Sequence, residues 1–399
     1  MSTRASAGPG GGARLGIWQL MLLLVTTAVI QDSSTVDHWL ARLVGVHAWL
    51  PVVLALPLAL GGVSLLVALA DRHPHRDLAG ILRELLGPLA YPLVLLIALV
   101  FVADAALTLR EFGLASGELG FWGFTPFWVF ATGMALVAVY GAFLGIEVLA
   151  RVNSFVLLFM ELPIGLLFTL FTVNHERLVR LLPLLPRGFA PVLRGTWLML
   201  GVFGQFLLLL VLLAEVHGGR GRAGQVARRG VLLISAIALG HSVGPALTFG
   251  PSVRVINWPL YGQVRSIFLA RFIANVDWMV VMLWVHGFLI EVALFVYAAA
   301  RLLTTLFALR SPRTLIPGLG ALALAGSFVV GTTAEMMLRR RWYEDAYALV
   351  ALGWLLPLLL LGISLLRGHR RQPAPAPGGP SAGALPAAAL EQGSRESAG

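Results

Sequence analysis

The sequence contains no cysteine, so disulfides, thiolate metal sites and a cysteine nucleophile are excluded. It contains no lysine either, and every one of its 29 basic side chains is arginine. A P-loop needs a lysine to reach the phosphates, and a Ser-x-x-Lys site needs a lysine amine; neither can exist here. Charge of any sign is scarce. Only 12% of residues are Asp, Glu, Lys or Arg, about half of the ~25% usual in soluble domains. What fills the gap is apolar: 58% of residues are hydrophobic and the mean hydropathy is +0.86. Several uninterrupted apolar runs reach the roughly 20 residues that a membrane helix requires. The chain therefore reads as an all-α polytopic membrane protein.

Ten spans are expected, near residues 15–31, 43–69, 86–109, 121–144, 148–173, 192–216, 230–249, 272–303, 314–332 and 346–366. Residues 1–14 are rich in Gly, Ala and Ser and read as a disordered cytoplasmic lead-in. Residues 368–399 are rich in Pro, Ala and Gly and read as a disordered tail. The membrane domain thus covers 15–367. With both ends inside, 17 arginines fall on inner segments and 12 on outer ones, which sets the orientation by the positive-inside rule. The net charge of +10 reflects arginines concentrated between the apolar runs. It does not indicate nucleic acid, because the arginines form no stripe with interleaved aromatics. Two outer connections, 174–191 and 250–271, combine aromatics, Pro and Arg and read as interfacial segments lying on the membrane.

Ionisable side chains inside spans are costly, roughly 2.5–3.5 kcal/mol at a helix centre on insertion scales. Here they are Asp104, Glu161, His241, Asp277, His286 and Glu291. Asp277 reads as structural, near an outer interface. Asp277, Trp284 and Glu291 are spaced by seven, drift only about 20° per step and share one face of span eight. That face should turn into the bundle. Glu291, deep in the span, is a candidate counter-charge for a ligand ammonium or a protonated hydrogen-bond donor. Glu147 and Arg151 form an i,i+4 pair in the favourable order and read as structural, holding the inner end of span five. Gly141 and Gly145 make a GxxxG of the kind frequent in Gly-rich helices. The nine histidines are scattered, and neither a metal-ligand spacing nor a G-x-S-x-G elbow is present. No metal, no cofactor and no enzyme activity are expected.

Spans one and six stand out. Thr26 and Thr27 interrupt the leucine run of the first, and Gln31 with Asp32 ends it. The sixth carries Gly201, Gly204 and a buried amide at Gln205. As the first helices of two five-helix halves, they occupy the positions of broken helices in inverted-repeat transporters, where ligands bind near the midplane. Breaks are expected near Thr26–Thr27 and Gly204–Gln205.

Several segments, taken in order, resemble the spore-germination permease family, the B subunits of nutrient germinant receptors. They are LTLREFG at 107–113, YGAFLGIEVLARVNSF at 140–155, LVRLLPLLPRGFAPVLRGTW at 178–197, and the long stretch from WPLYGQVRSIF to ARLLTTLF at 258–307. The resemblance implies a ten-helix, LeuT-like 5+5 inverted repeat with broken helices one and six, of the amino acid–polyamine–cation transporter kind. It implies an amino-acid-sized germinant pocket, and a complex with A and C subunits in the inner spore membrane. Gln205 stands where family members often carry Glu, and the acidic Glu291 is also a departure. The candidate ligand contacts are Thr26, Thr27, Asp104, Thr108, Gly204, Gln205, His286 and Glu291. A germinant sensor and an ion- or proton-coupled amino-acid transporter both fit this pattern.

Overall fold

The computed structural model describes residues 15–74, 76–118, 125–166, 178–182, 188–216, 220–267, 276–330 and 346–368. The two expected tails, apart from Gly368, lie outside the described residues. Among the described residues there is no strand, only an isolated bridge between Leu15 and Val216. Nine of the described helices are long and apolar enough to cross a membrane: α1 (Ile17–His47), α2 (Trp49–Arg72), α3 (Leu78–Gly117), α4 (Phe127–Leu144), α5 (Ile146–Leu166), α6 (Ala190–Glu215), α7 (Ala223–Val255), α8 (Trp278–Leu306) and α10 (Ala346–Leu366). The chain is a multi-pass integral membrane protein. A shorter apolar helix, α9 (Ile316–Ser327), occupies the place of the expected ninth span.

The helices divide into an inner and an outer set. From Ile290 to Ala300 every residue of α8 is buried, as expected of a helix that is apolar all round. It packs along α3, α4 and α1, with Phe295 against Phe101 and Phe288 against Phe112. α1 and the middle of α6 are buried as well. In contrast α4 and α5 turn Tyr140, Phe155 and Phe159 outward, as lipid-facing helices do. α4 and α5 are joined at a single residue, Gly145, whose φ of +109° is open to glycine and strained for any other residue. One glycine of the GxxxG is thus a turn residue. α6 and α10 meet backbone to backbone: a Cβ on Gly353 would stand 2.5 Å from the Cα of Gly204. Small residues permit this close approach in membrane bundles, and Trp354 fixes it by donating to the Leu200 carbonyl at 2.9 Å.

The first helix corrects the expectation most clearly. Thr26 and Thr27 lie in regular α-helix, Ile17–Gln31, with no break. The Thr27 hydroxyl donates to the Leu24 carbonyl of its own helix at 3.0 Å, so it does not compete for the ladder. The helix then continues past Gln31 through a π-helical stretch, Asp32–Val36, into a further α-helix, Asp37–Val44. The polar run 31–37 looked like a span end because lipid would reject it. It is buried in protein instead, with Ser33 and Ser34 satisfied by the Ile30 carbonyl. In α6 the α-helix runs through Gly204 and tightens to a 3-10 turn at Gln205–Leu207 before resuming. Both helices are irregular rather than broken.

The connection after α7 also differs from an interfacial strap. The short helix Pro259–Arg265 buries Tyr261 and Val264, and Trp258 packs on Trp284 at 5.4 Å. It is a cap seated on the bundle. The Tyr261 hydroxyl donates to Asp277 at the start of α8, 2.6 Å away. Burial, aided by that carboxylate, pushes the Tyr261 hydroxyl up to about 12, so it stays a donor at neutral pH. At the opposite end Glu215 closes α6 onto α8, accepting from Tyr297 at 2.8 Å and pairing with Arg301 at 2.9 Å.

The glycine contact between α6 and α10 generates a prediction. Gly353→Ala should destabilise the protein by about 1–3 kcal/mol, the usual cost of overpacking. Gly61→Ala, whose new Cβ meets nothing within 4 Å, should be neutral or slightly stabilising. Thermal unfolding of the two variants in detergent checks the contrast.

Candidate functional site

Two irregular turns in two inner helices bring two amides together. Gln31 ends the first α-helical stretch of α1, and Gln205 opens the 3-10 turn of α6. The Gln205 amide nitrogen donates to Gln31 Oε1 at 2.6 Å and lies 3.4 Å from Glu291 Oε1 on α8. All three side chains are buried, Glu291 completely. The seven-residue stripe on α8 therefore turns inward at Trp284 and Glu291. Beside this cluster Thr35 of α1 donates to Glu111 of α3 at 2.5 Å. A polar centre thus joins α1 to α6 and α8 on one side and to α3 on another, inside an apolar bundle.

Two carboxylate–imidazole pairs flank α1 and α8. Asp32 Oδ2 and His241 Nδ1 of α7 are 2.9 Å apart, and Glu161 Oε1 of α5 and His286 Nδ1 are 2.7 Å apart. Next to them a cavity of about 610 Å³ opens between α1, α5, α7 and α8, with Thr26, Glu161, His241 and Trp284 on its wall.

The expected ligand contacts are therefore dispersed. Gln205 and Glu291 come together, with Gly204 packed behind Gln205 against α10. Thr26 faces the cavity instead, and Thr27 is turned onto its own helix. Asp104 and Thr108 are buried one turn apart on α3, where the Thr108 hydroxyl donates to the Asp104 carbonyl at 2.9 Å. His286 is committed to Glu161 rather than brought to Glu291. Of the structural residues, Arg151 donates to Glu147 at an exposed site at the start of α5, and Asp277 accepts from Tyr261. Sequence reasoning missed Gln31, Thr35 and Glu111 as members of the centre, and Asp32 as a partner of His241. A signal for Gln31 existed: it and Gln205 are buried amides in the first helices of the two halves. Among the described residues no group of three or more His, Asp or Glu could hold a metal.

A family model described as spore germination protein, of the spore permease type, matches residues 16–333. The chain belongs to the spore permease family. Spore germination protein KB of Bacillus subtilis (strain 168) is 24% identical over 372 residues, covering 90% of this chain and 97% of that protein. Spore germination protein XB of Bacillus anthracis is 22% identical over 282 residues, covering 69% and 74% of the two chains. Among solved structures this permease is similar to MhsT in complex with L-phenylalanine, with a TM-score of 0.60 and 17% identity over 89% of this chain and 99% of that one. The fold is thus that of the LeuT-like transporters.

Three outcomes follow for this permease. Gln205→Leu removes the donor of both amide contacts inside the bundle and should cost about 1–3 kcal/mol. The double variant Gln31→Leu/Gln205→Leu should cost less than the sum of the singles, as a double-mutant cycle on unfolding would reveal. Exchanging the charges in Glu147→Arg/Arg151→Glu should change stability by no more than about 0.5 kcal/mol, since the pair is exposed; the same unfolding assay reads it.

Proposed function

We propose that this permease is the membrane subunit of a germinant receptor that binds a small amino-acid-like nutrient at the polar centre and signals germination. The observation that carries the reading is the meeting of the two irregular turns at Gln31, Gln205 and Glu291. Irregular helical turns in membrane proteins free backbone groups for a ligand. Around them stand an amide donor, an amide acceptor and a carboxyl, groups that suit the two ends of a zwitterion. A ligand ammonium takes Glu291 as its counter-charge, and the Gln205 amide turns from Gln31 to the ligand carboxylate. Gly204, packed against α10, fixes the backbone from which Gln205 projects. Asp104 and Thr108, buried on α3, and Thr27 on α1 are assigned no direct ligand contact in this reading, while Thr26 and His286 lie toward the separate cavity and Glu161. The relatives named for spore germination and the MhsT complex with an amino acid support this choice of ligand and process. In this reading the arginine-rich ends face the cytoplasm, the membrane is the inner spore membrane, and A and C subunits complete the receptor.

A second reading, an ion- or proton-coupled amino-acid transporter, is favoured by the transporter fold itself. Uptake of labelled amino acid into vesicles holding this chain alone separates the two. A sensor shows none, and a transporter accumulates label.

The test of the site is a binding screen. Purified protein is titrated with each common L-amino acid, and affinity is read by thermal shift. The amino acid that binds should lose about tenfold in affinity in Glu291→Gln, the loss of one charge-assisted hydrogen bond. It should bind normally to the Glu147→Arg/Arg151→Glu variant. Unchanged affinity in Glu291→Gln contradicts the assigned role.

A further inference from the structure

The cavity of about 610 Å³ is not used by the reading above. It lies on another face of α1. Thr26, Val29, Ile30 and Ser33 line it, and their three- and four-residue spacing puts them on one side of the helix. Gln31 and Thr35 turn away, toward α6 and α3. One helix therefore stands between the polar centre and the cavity.

The remaining walls show where it opens. α5 packs on α1 and α8, while α7 packs on α1 and α2, and the cavity fills the space between α5 and α7. Its wall includes Leu166 of α5, 61% exposed, and the exposed Ala236 of α7. Just outside, Phe159 on α5 and Leu232 on α7 face outward, where a membrane helix meets lipid tails. The outer end is bounded by Leu260 and Gln263 of the capping helix. The mouth thus points sideways into hydrocarbon.

Inside, leucine, isoleucine and valine make up about half of the wall, and of the polar residues on it Ser33 bonds the Ile30 carbonyl, His241 pairs with Asp32 and Glu161 pairs with His286. Among the described residues Thr26 Oγ1 and Trp284 Nε1 are buried hydrogen-bond donors without a partner. Away from water an unanswered donor is costly, and an acceptor on a ligand would answer it. The volume falls within the roughly 300–1,000 Å³ of sites for drug-sized molecules, so a single amino acid would leave much of it unfilled. We infer that this cavity binds a single-chain amphiphile taken from the bilayer, its chain lying between α5 and α7 and its carboxylate or ester carbonyl directed to Thr26 and Trp284.

The test uses the full chain in lipid nanodiscs, photolabelled with a diazirine-bearing palmitic acid and mapped by mass spectrometry. Label should concentrate on the cavity segments 157–166 and 236–243 and be displaced by excess palmitate. Ala236→Trp, which fills the mouth, should cut that labelling severalfold while the outward positions around Phe155 are labelled as before. Thr26→Val keeps the shape and removes the hydroxyl; displacement by palmitate should weaken severalfold. Label spread evenly over lipid-facing positions, insensitive to palmitate and to Ala236→Trp, overturns the assignment. So does displacement by an L-amino acid in place of palmitate. Glu291→Gln, on the far side of α1, should leave the labelling unchanged, so failure here leaves the nutrient site standing and the reverse also holds.

Discussion

Inside a bilayer a polar side chain has no water to turn to, and each one carried into the bundle must find its partner within the protein. The helices of this chain are arranged around the places where that happens. Gln205 ties α6 to Gln31 of α1 and reaches Glu291 of α8. Asp32 and His241 join α1 to α7, and Glu161 and His286 join α5 to α8. Glu215 holds the end of α6 to Tyr297 and Arg301 of α8. Apolar packing cannot choose among helix partners so sharply, because lipid tails are as apolar as leucine. Close backbone approach adds to this at the Gly204–Gly353 contact, which the Trp354–Leu200 hydrogen bond holds.

The same constraint explains what could be read from the sequence. Span positions were legible because only long apolar runs can face lipid, and the inward face of α8 was legible from the spacing of Trp284 and Glu291. The length of α1 was not. Asp32, Ser33, Ser34 and Asp37 mark a span end if the helix touches lipid, and they are harmless if it is surrounded by protein, which only the tertiary structure decides. The threonine pair misled for a related reason, since a hydroxyl can bond within its own helix and leave the ladder intact. Gln205 did mark an irregular turn, because a buried amide beside Gly204 combines a polar demand with room for close approach. The carboxylate–imidazole pairs were out of reach: their members lie 125 and 209 residues apart, and nothing local announces the pairing.

α1 emerges as the helix on which most depends. With its π-helical stretch, one rod presents Gln31 to α6, Thr35 to α3, Asp32 to α7, and the face of Thr26, Val29, Ile30 and Ser33 to the cavity. A regular helix of the same sequence would rotate the residues after Val36 and disturb the seat of the capping helix, which packs on the outer part of α1. A ligand held at the polar centre would therefore bear on an element that touches α3, α6, α7 and α8.

The most direct test of this account is a cryo-electron microscopy structure of the protein with the amino acid selected by the binding screen. The account predicts ligand density enclosed by Gln31, Gln205 and Glu291, with the Gln31–Gln205 contact opened to admit it. Ligand density confined to the space between α5 and α7, with the three side chains still bonded to one another, would contradict it.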